Sequence, residues 1–134
     1  MAIRVAGIVG SLREGSLNRG LLKAAVELAP AGMEISIYTR LGDIPPYNDD
    51  VFQKGDPAPV ADFKSFIGPS DAMLISTPEY NYGVPGVLKN AIDWASRPAG
   101  KSARKPIRPD PSHTTAAASW RVSRRQNRSP RACR

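Results

Sequence analysis

The sequence predicts an α/β fold in which helices cover a parallel sheet. Short apolar, β-branched segments alternate with segments whose apolar residues recur at three and four positions. They follow one another as strand, helix, strand, helix, strand, helix, the order of a parallel sheet with crossover helices. The first and third strands each run into a polar loop that leads directly to a helix. Two such loops at the ends of parallel strands would build one site.

Ile3 to Val9 is a buried strand by its apolar, β-branched run, and Gly10 ends it. Ser16 is a good N-cap for a helix running to about Leu28, with Leu17, Leu21, Ala24, Ala25 and Leu28 expected on its core face. Pro30-Ala31-Gly32 stops that helix. The alternation from Met33 to Tyr38 predicts a second strand. A long loop from Leu41 to Pro59 follows, of a length expected to be functional or disordered. Pro59 to Phe66 predicts a short helix, Asp71 to Ser76 a third strand, and Val84 to Ser96 a further helix. Three strands are few for a doubly wound sheet, where about five are usual.

The loop Gly10-Ser11-Leu12-Arg13-Glu14-Gly15-Ser16-Leu17-Asn18 is suited to a phosphate. A helix start presents unpartnered N–H groups, and its dipole favours an anion. Ser11, Ser16 and Asn18 add side-chain donors and Arg13 a cation. The bland alternative is a capped helix start after an ordinary loop. The second loop, Thr77-Pro78-Glu79-Tyr80-Asn81-Tyr82-Gly83, shifts the balance toward binding. Gly10-Ser11-Leu12 does not continue as the G-x-G-x-x-G of a dinucleotide fold, so a mononucleotide fits better.

Charge divides the 134-residue chain in two. Residues 1–98 hold 9 Lys and Arg against 11 Asp and Glu, whereas residues 99–134 hold 10 against the single Asp110. The net charges of −2 and +9 make up the overall +7. Residues 1–98 therefore form the expected domain and 99–134 a basic tail. The tail lacks apolar periodicity and offers only Ile107, Trp120 and Val122 as sizeable apolar side chains, so disorder is expected there. Its Arg residues suit nucleic acid or an anionic surface, but Trp120 is the only aromatic available for base stacking, and nucleic acid is not the expected partner. No 18-residue apolar run occurs, Met1 leads straight into a strand pattern, and Cys133 is the only cysteine. A soluble cytoplasmic protein without a membrane partner is the expectation. His113 stands apart from any ligand constellation, so no metal is expected.

GSLREGSLNRGLLKAA followed by STPEYNYGVPGVLKNAIDWASRP closely resembles the NADPH-dependent FMN reductase family, a flavodoxin-like group that includes chromate, quinone and azo-dye reductases. The resemblance covers residues 3–98. It implies a three-layer flavodoxin-like sheet, an FMN cofactor and NADPH as reductant. It also implies a small-molecule electron acceptor and assembly as a homo-oligomer, with Gly86 to Trp94 near the interface. Ser11, Arg13, Ser16, Leu17 and Asn18 would surround the FMN phosphate, and Pro78, Glu79, Tyr80 and Asn81 the ribityl chain and ring. No side chain is assigned as a catalytic acid or base, because the cofactor carries the chemistry. Glu79 reads as a structural loop carboxylate. Tyr80 and Tyr82 suit either flavin stacking or a plug over the core.

The family continues with a fourth strand, a Gly-rich loop, a helix and a fifth strand, which the basic segment here does not match. Strands four and five are therefore expected to be missing, as in a truncated chain or one continued in another reading frame. The third strand would then become an edge, leaving a domain that is marginal on its own.

Overall fold

The computed structural model describes residues 2–98 and 115–120. Strand β1 (Ile3–Val9) lies between β2 (Met33–Tyr38) and β3 (Ala72–Pro78), with every pairing parallel. The sheet order is β2-β1-β3-β4, where β4 is Thr115–Trp120. The parallel α/β architecture and the three strands read from sequence are thus present.

β4 was not read from sequence. It pairs with β3 from Met73 opposite Thr115 to Pro78 opposite Trp120, so β3 is an inner strand and not the expected edge. Parallel pairing is made by backbone groups. Thr-Ala-Ala-Ala-Ser-Trp therefore completes a ladder without the alternation by which a strand is recognised. The disorder expected for the rest of the tail, with His113 and Cys133, lies outside the described residues.

Helix α1 (Leu17–Glu27) packs over β1, β2 and β3, while α3 (Ala58–Ile67) and α4 (Gly86–Ala95) pack together. The core beside α3 and α4 joins Ile8 and Ile75 from the sheet to Val60, Phe63, Leu88, Ala91 and Trp94. Tyr38 lies against the rings of Phe63 and Phe66, both at 5.1 Å between centroids. Its hydroxyl donates to Asp62 at 2.7 Å. Burial, and then this bond, push its pKa up to about 12.

The long segment after β2 is ordered. It contains a single 3₁₀ turn (Leu41–Asp43) and a short helix α2 (Asp49–Phe52) capped by the Asn48 side chain. Asn90 accepts from the Tyr47 amide and donates to the carbonyls of Ile44 and Pro45, and the Trp94 indole N–H donates to the same Pro45 carbonyl. Side chains of α4 thereby satisfy the backbone groups of Ile44, Pro45 and Tyr47 within this 19-residue connection. Trp94 is fully buried, in keeping with a core role.

The core face of α1 needs correction. Leu22 is its buried residue, whereas Leu17 and Leu28 are 78% and 82% exposed. Of the expected face, Ala24 and Ala25 are half-buried, but Leu17, Leu21 and Leu28 are exposed, so the leucine stripe is rotated off the sheet. Periodicity finds an apolar stripe without saying which neighbour covers it.

Candidate functional site

The chain order reverses direction between β1 and β3, which makes the carboxyl ends of these two strands the natural place for a ligand crevice. Both sequence-predicted loops start there. Three contacts hold their bases together. The Gly10 amide donates to the Ser76 carbonyl at 2.9 Å. The Ser76 hydroxyl donates to Asn18 Oδ1 at 3.0 Å, tying the end of β3 to the first turn of α1. A Cβ at Gly10 would lie 2.1 Å from Thr77 Oγ1 and 2.6 Å from Thr77 Cβ, so only glycine permits the approach.

The first loop turns tightly, with the Ser16 amide donating to the Arg13 carbonyl at 3.2 Å. Arg13 folds over this turn, and a Cβ on Gly15 would lie 3.6 Å from its guanidinium. Ser16 is the N-cap as expected, with extended backbone, but its side chain makes no capping bond and the first turn of α1 contains no acid. Its carbonyl accepts from Arg19 and Gly20, which leaves the Leu17 and Asn18 amides at the open end of the helix. With Asn18 Oδ1 committed to Ser76, the amide nitrogen remains as a donor. Ser11, in the same loop, is buried. The result is a set of N–H and O–H donors, a guanidinium and the positive end of a helix dipole, suited to a phosphate dianion. Leu17 can contribute only its backbone, because its side chain points away into solvent.

The second loop closes on itself. Tyr80 and Gly83 exchange backbone hydrogen bonds of 2.9 and 3.0 Å, with Asn81 and Tyr82 between them at φ of 50° and 62°. Two consecutive left-handed residues define a type I′ turn. Asn tolerates this conformation, whereas an aromatic residue is strained in it by roughly 1–2 kcal/mol. Tyr80 is 53% and Tyr82 88% exposed, which removes the core-plug reading for both. Pro78 is the last residue of β3, and Glu79 is half-buried behind the turn.

The structure therefore gathers Ser11, Arg13, Ser16, Leu17 and Asn18 at one loop, and Pro78, Glu79, Tyr80 and Asn81 at its neighbour. Gly10, Ser76 and Thr77, which join the two, were not picked out as site residues. Their signal was two hydroxyl residues at the end of the apolar run Ala72–Ile75, both of which prove to be buried. Among the described residues there is no group of three His, Cys, Asp or Glu side chains able to hold a metal.

A flavodoxin-like parallel sheet whose two loops meet at the topological switch point defines a class of α/β proteins with the ligand crevice at that place. The model of the NADPH-dependent FMN reductase family matches residues 3–123, and the chain belongs to that family. An NAD(P)H-dependent FMN reductase of Pseudomonas aeruginosa is 53% identical over 96 residues, covering 72% of this chain and 51% of the relative. A quinone reductase of Escherichia coli K12 is 46% identical over 107 residues, covering 78% of this chain and 57% of the relative. The chain thus spans about half the length of the curated relatives it matches. Among solved structures, the flavoenzyme NAD(P)H:(acceptor) oxidoreductase FerB of Paracoccus denitrificans superposes with a TM-score of 0.72 at 40% identity, covering 88% of this chain and 60% of that one. The family implies FMN, with NADPH as reductant. The donor set at the start of α1 fits the FMN phosphate in charge and in hydrogen-bonding sense.

Proposed function

We propose that this chain carries the FMN-binding half of an NADPH-dependent reductase. It would act as a homo-oligomer in the cytoplasm on a small electron acceptor such as a quinone, chromate, an azo compound or free flavin. The observation that carries the reading is the fastening of the two loops through Gly10, Thr77, Ser76 and Asn18. It turns two separate strand ends into one crevice with a phosphate cradle on one side and a rigid turn on the other.

In this reading, the Leu17 and Asn18 amides, the hydroxyls of Ser11 and Ser16, the Asn18 amide nitrogen and Arg13 hold the phosphate. Pro78 to Asn81 form the wall along the ribityl chain and ring. The type I′ turn fixes that wall's backbone, so its groups are oriented before a ligand arrives. FMN held there would supply two-electron redox chemistry between NADPH and the acceptor. The protein's share is binding, orientation and exclusion of water.

The test is the absorbance spectrum of the purified chain after mixing with excess FMN and desalting. Retention near one flavin per chain is expected, followed by NADPH oxidation when a quinone is added. Absence of retained flavin in folded protein would overturn the reading. Gly10→Ala should abolish retention, because the added methyl drives the two loops apart.

A further inference from the structure

The cations of the described residues fall into two groups: four form ion pairs, while Arg13, Arg19, Lys23, Lys54 and Arg97 form none. Arg4, Arg40, Lys64 and Lys89 each pair with an aspartate: Asp71, Asp62, Asp56 and Asp93 respectively. Arg19 and Lys23 have no carboxylate partner among the described residues, although Glu27 lies one turn beyond Lys23. They are one helical turn apart on the same flank of α1, where like charges repel. Both line a cavity of about 230 Å³ at the carboxyl ends of β1 and β2.

That cavity lies on the other flank of α1 from the Asn18–Ser76 contact. Asn18 reaches toward β3, while Arg19 and Lys23 share the cavity with Ile37 and Thr39 at the end of β2 and just beyond it. Val9, Leu12, Ile37 and Leu41 supply apolar walls and Thr39 adds a hydroxyl, while Ser11 lines the side nearest the first loop. Cations set against low-dielectric walls attract an anion more strongly than they would on an open surface. The volume is below the roughly 300–1,000 Å³ of sites for drug-sized ligands, so it suits a phosphorylated sugar better than a whole dinucleotide.

We propose that this cavity is a second anion site, which takes the phosphomonoester of a phosphorylated sugar. Arg19 and Lys23 hold the phosphate, Thr39 bonds a sugar hydroxyl, and the apolar walls cover the sugar face. The phosphomonoester has two sources: the 2′-phosphate on the adenosine ribose of NADPH, or a free sugar phosphate. Only the first source rests on the reductase reading; the site itself does not.

The experiment is calorimetric titration of the full chain with adenosine 2′-monophosphate, ribose 5-phosphate and inorganic phosphate, with FMN retention measured in parallel. Amide chemical shifts at Thr39 and Leu41 report the place of binding. Binding is expected to be weakened roughly tenfold by Arg19→Gln and by Lys23→Gln, since each removes a charge-assisted bond. FMN retention should be unchanged in both variants. Thr39→Val, which leaves the charges intact, should weaken the sugar phosphates but not inorganic phosphate. Preference for adenosine 2′-monophosphate over ribose 5-phosphate assigns the dinucleotide source, and the reverse assigns a free sugar phosphate. No binding of any probe, binding indifferent to both cation variants, or competition with FMN for one site would overturn the proposal. Flavin retention without probe binding defeats this site alone. Probe binding without flavin retention defeats the reductase reading alone.

Discussion

The two faces of the sheet are built on opposite plans. On the face covered by α3 and α4, polar groups and apolar side chains are matched to partners within the chain. Trp94 and Asn90 hold the carbonyls of Ile44 and Pro45, and Tyr38 holds Asp62. On the face covered by α1, a single helix leaves leucines in solvent, an N-cap serine whose side chain caps nothing, and two cations without carboxylate partners among the described residues. The first face spends its hydrogen bonds on stability. The second keeps donors and positive charge unspent, as a site for an anion requires.

The largest expected effect lies on the first face. Trp94→Ala should cost about 3–5 kcal/mol in urea denaturation, because it opens a cavity and removes the Pro45 contact. Leu28→Ala at the C-cap of α1 should change stability by no more than about 0.5 kcal/mol. Similar costs for the two would break the contrast between faces.

Asn90→Ala should come next, at about 1–3 kcal/mol, since it orphans the Tyr47 amide and weakens the hold on two carbonyls. Hydrogen exchange should quicken at Tyr47 while the α1 amides keep their protection. Uniform quickening throughout the chain would show that the connection is not held locally.

Ser16→Asp sharpens the contrast from the other side. A carboxylate at the N-cap should leave stability unchanged or raise it by up to about 1 kcal/mol. The same charge should weaken FMN retention roughly tenfold by repelling the phosphate. Stability and binding moving together would argue that the loop serves only as a helix start.

The effect confined to the narrowest range of conditions is a pH dependence. The Tyr38 pKa is raised in the folded chain, so ionisation is disfavoured there relative to the unfolded chain. The associated stability is complete below pH 10 and is lost as pH rises from 10 toward 12. Tyr38→Phe should flatten that loss in denaturation midpoints measured across this range.

Much of the fold was visible locally. β1 and β2 have the ends that their apolar runs predicted, and α3 and α4 begin and end within two residues of the expected positions. The polar loop between β1 and α1 was readable because polar residues between a strand and a helix are informative without knowledge of neighbours. The joining contacts were not readable in the same way. Gly10 meets Thr77, and Ser76 meets Asn18, across 67 and 58 positions of sequence. The covered flank of α1 and the pairing of β4 were equally hidden, since both depend on what lies alongside.

The sequence by itself determined the parallel α/β class, the family and the two loops that carry the donors, because strand length, helical period and helix-start chemistry are properties of neighbouring residues. Only the tertiary structure decided that α1 turns Leu22 inward and Leu17 outward, that Asn90 and Trp94 anchor a connection expected to be functional or disordered, and that β3 is flanked by β4. Those outcomes depend on contacts between residues far apart in the chain, where packing and hydrogen-bond satisfaction decide among arrangements that local pattern leaves equivalent.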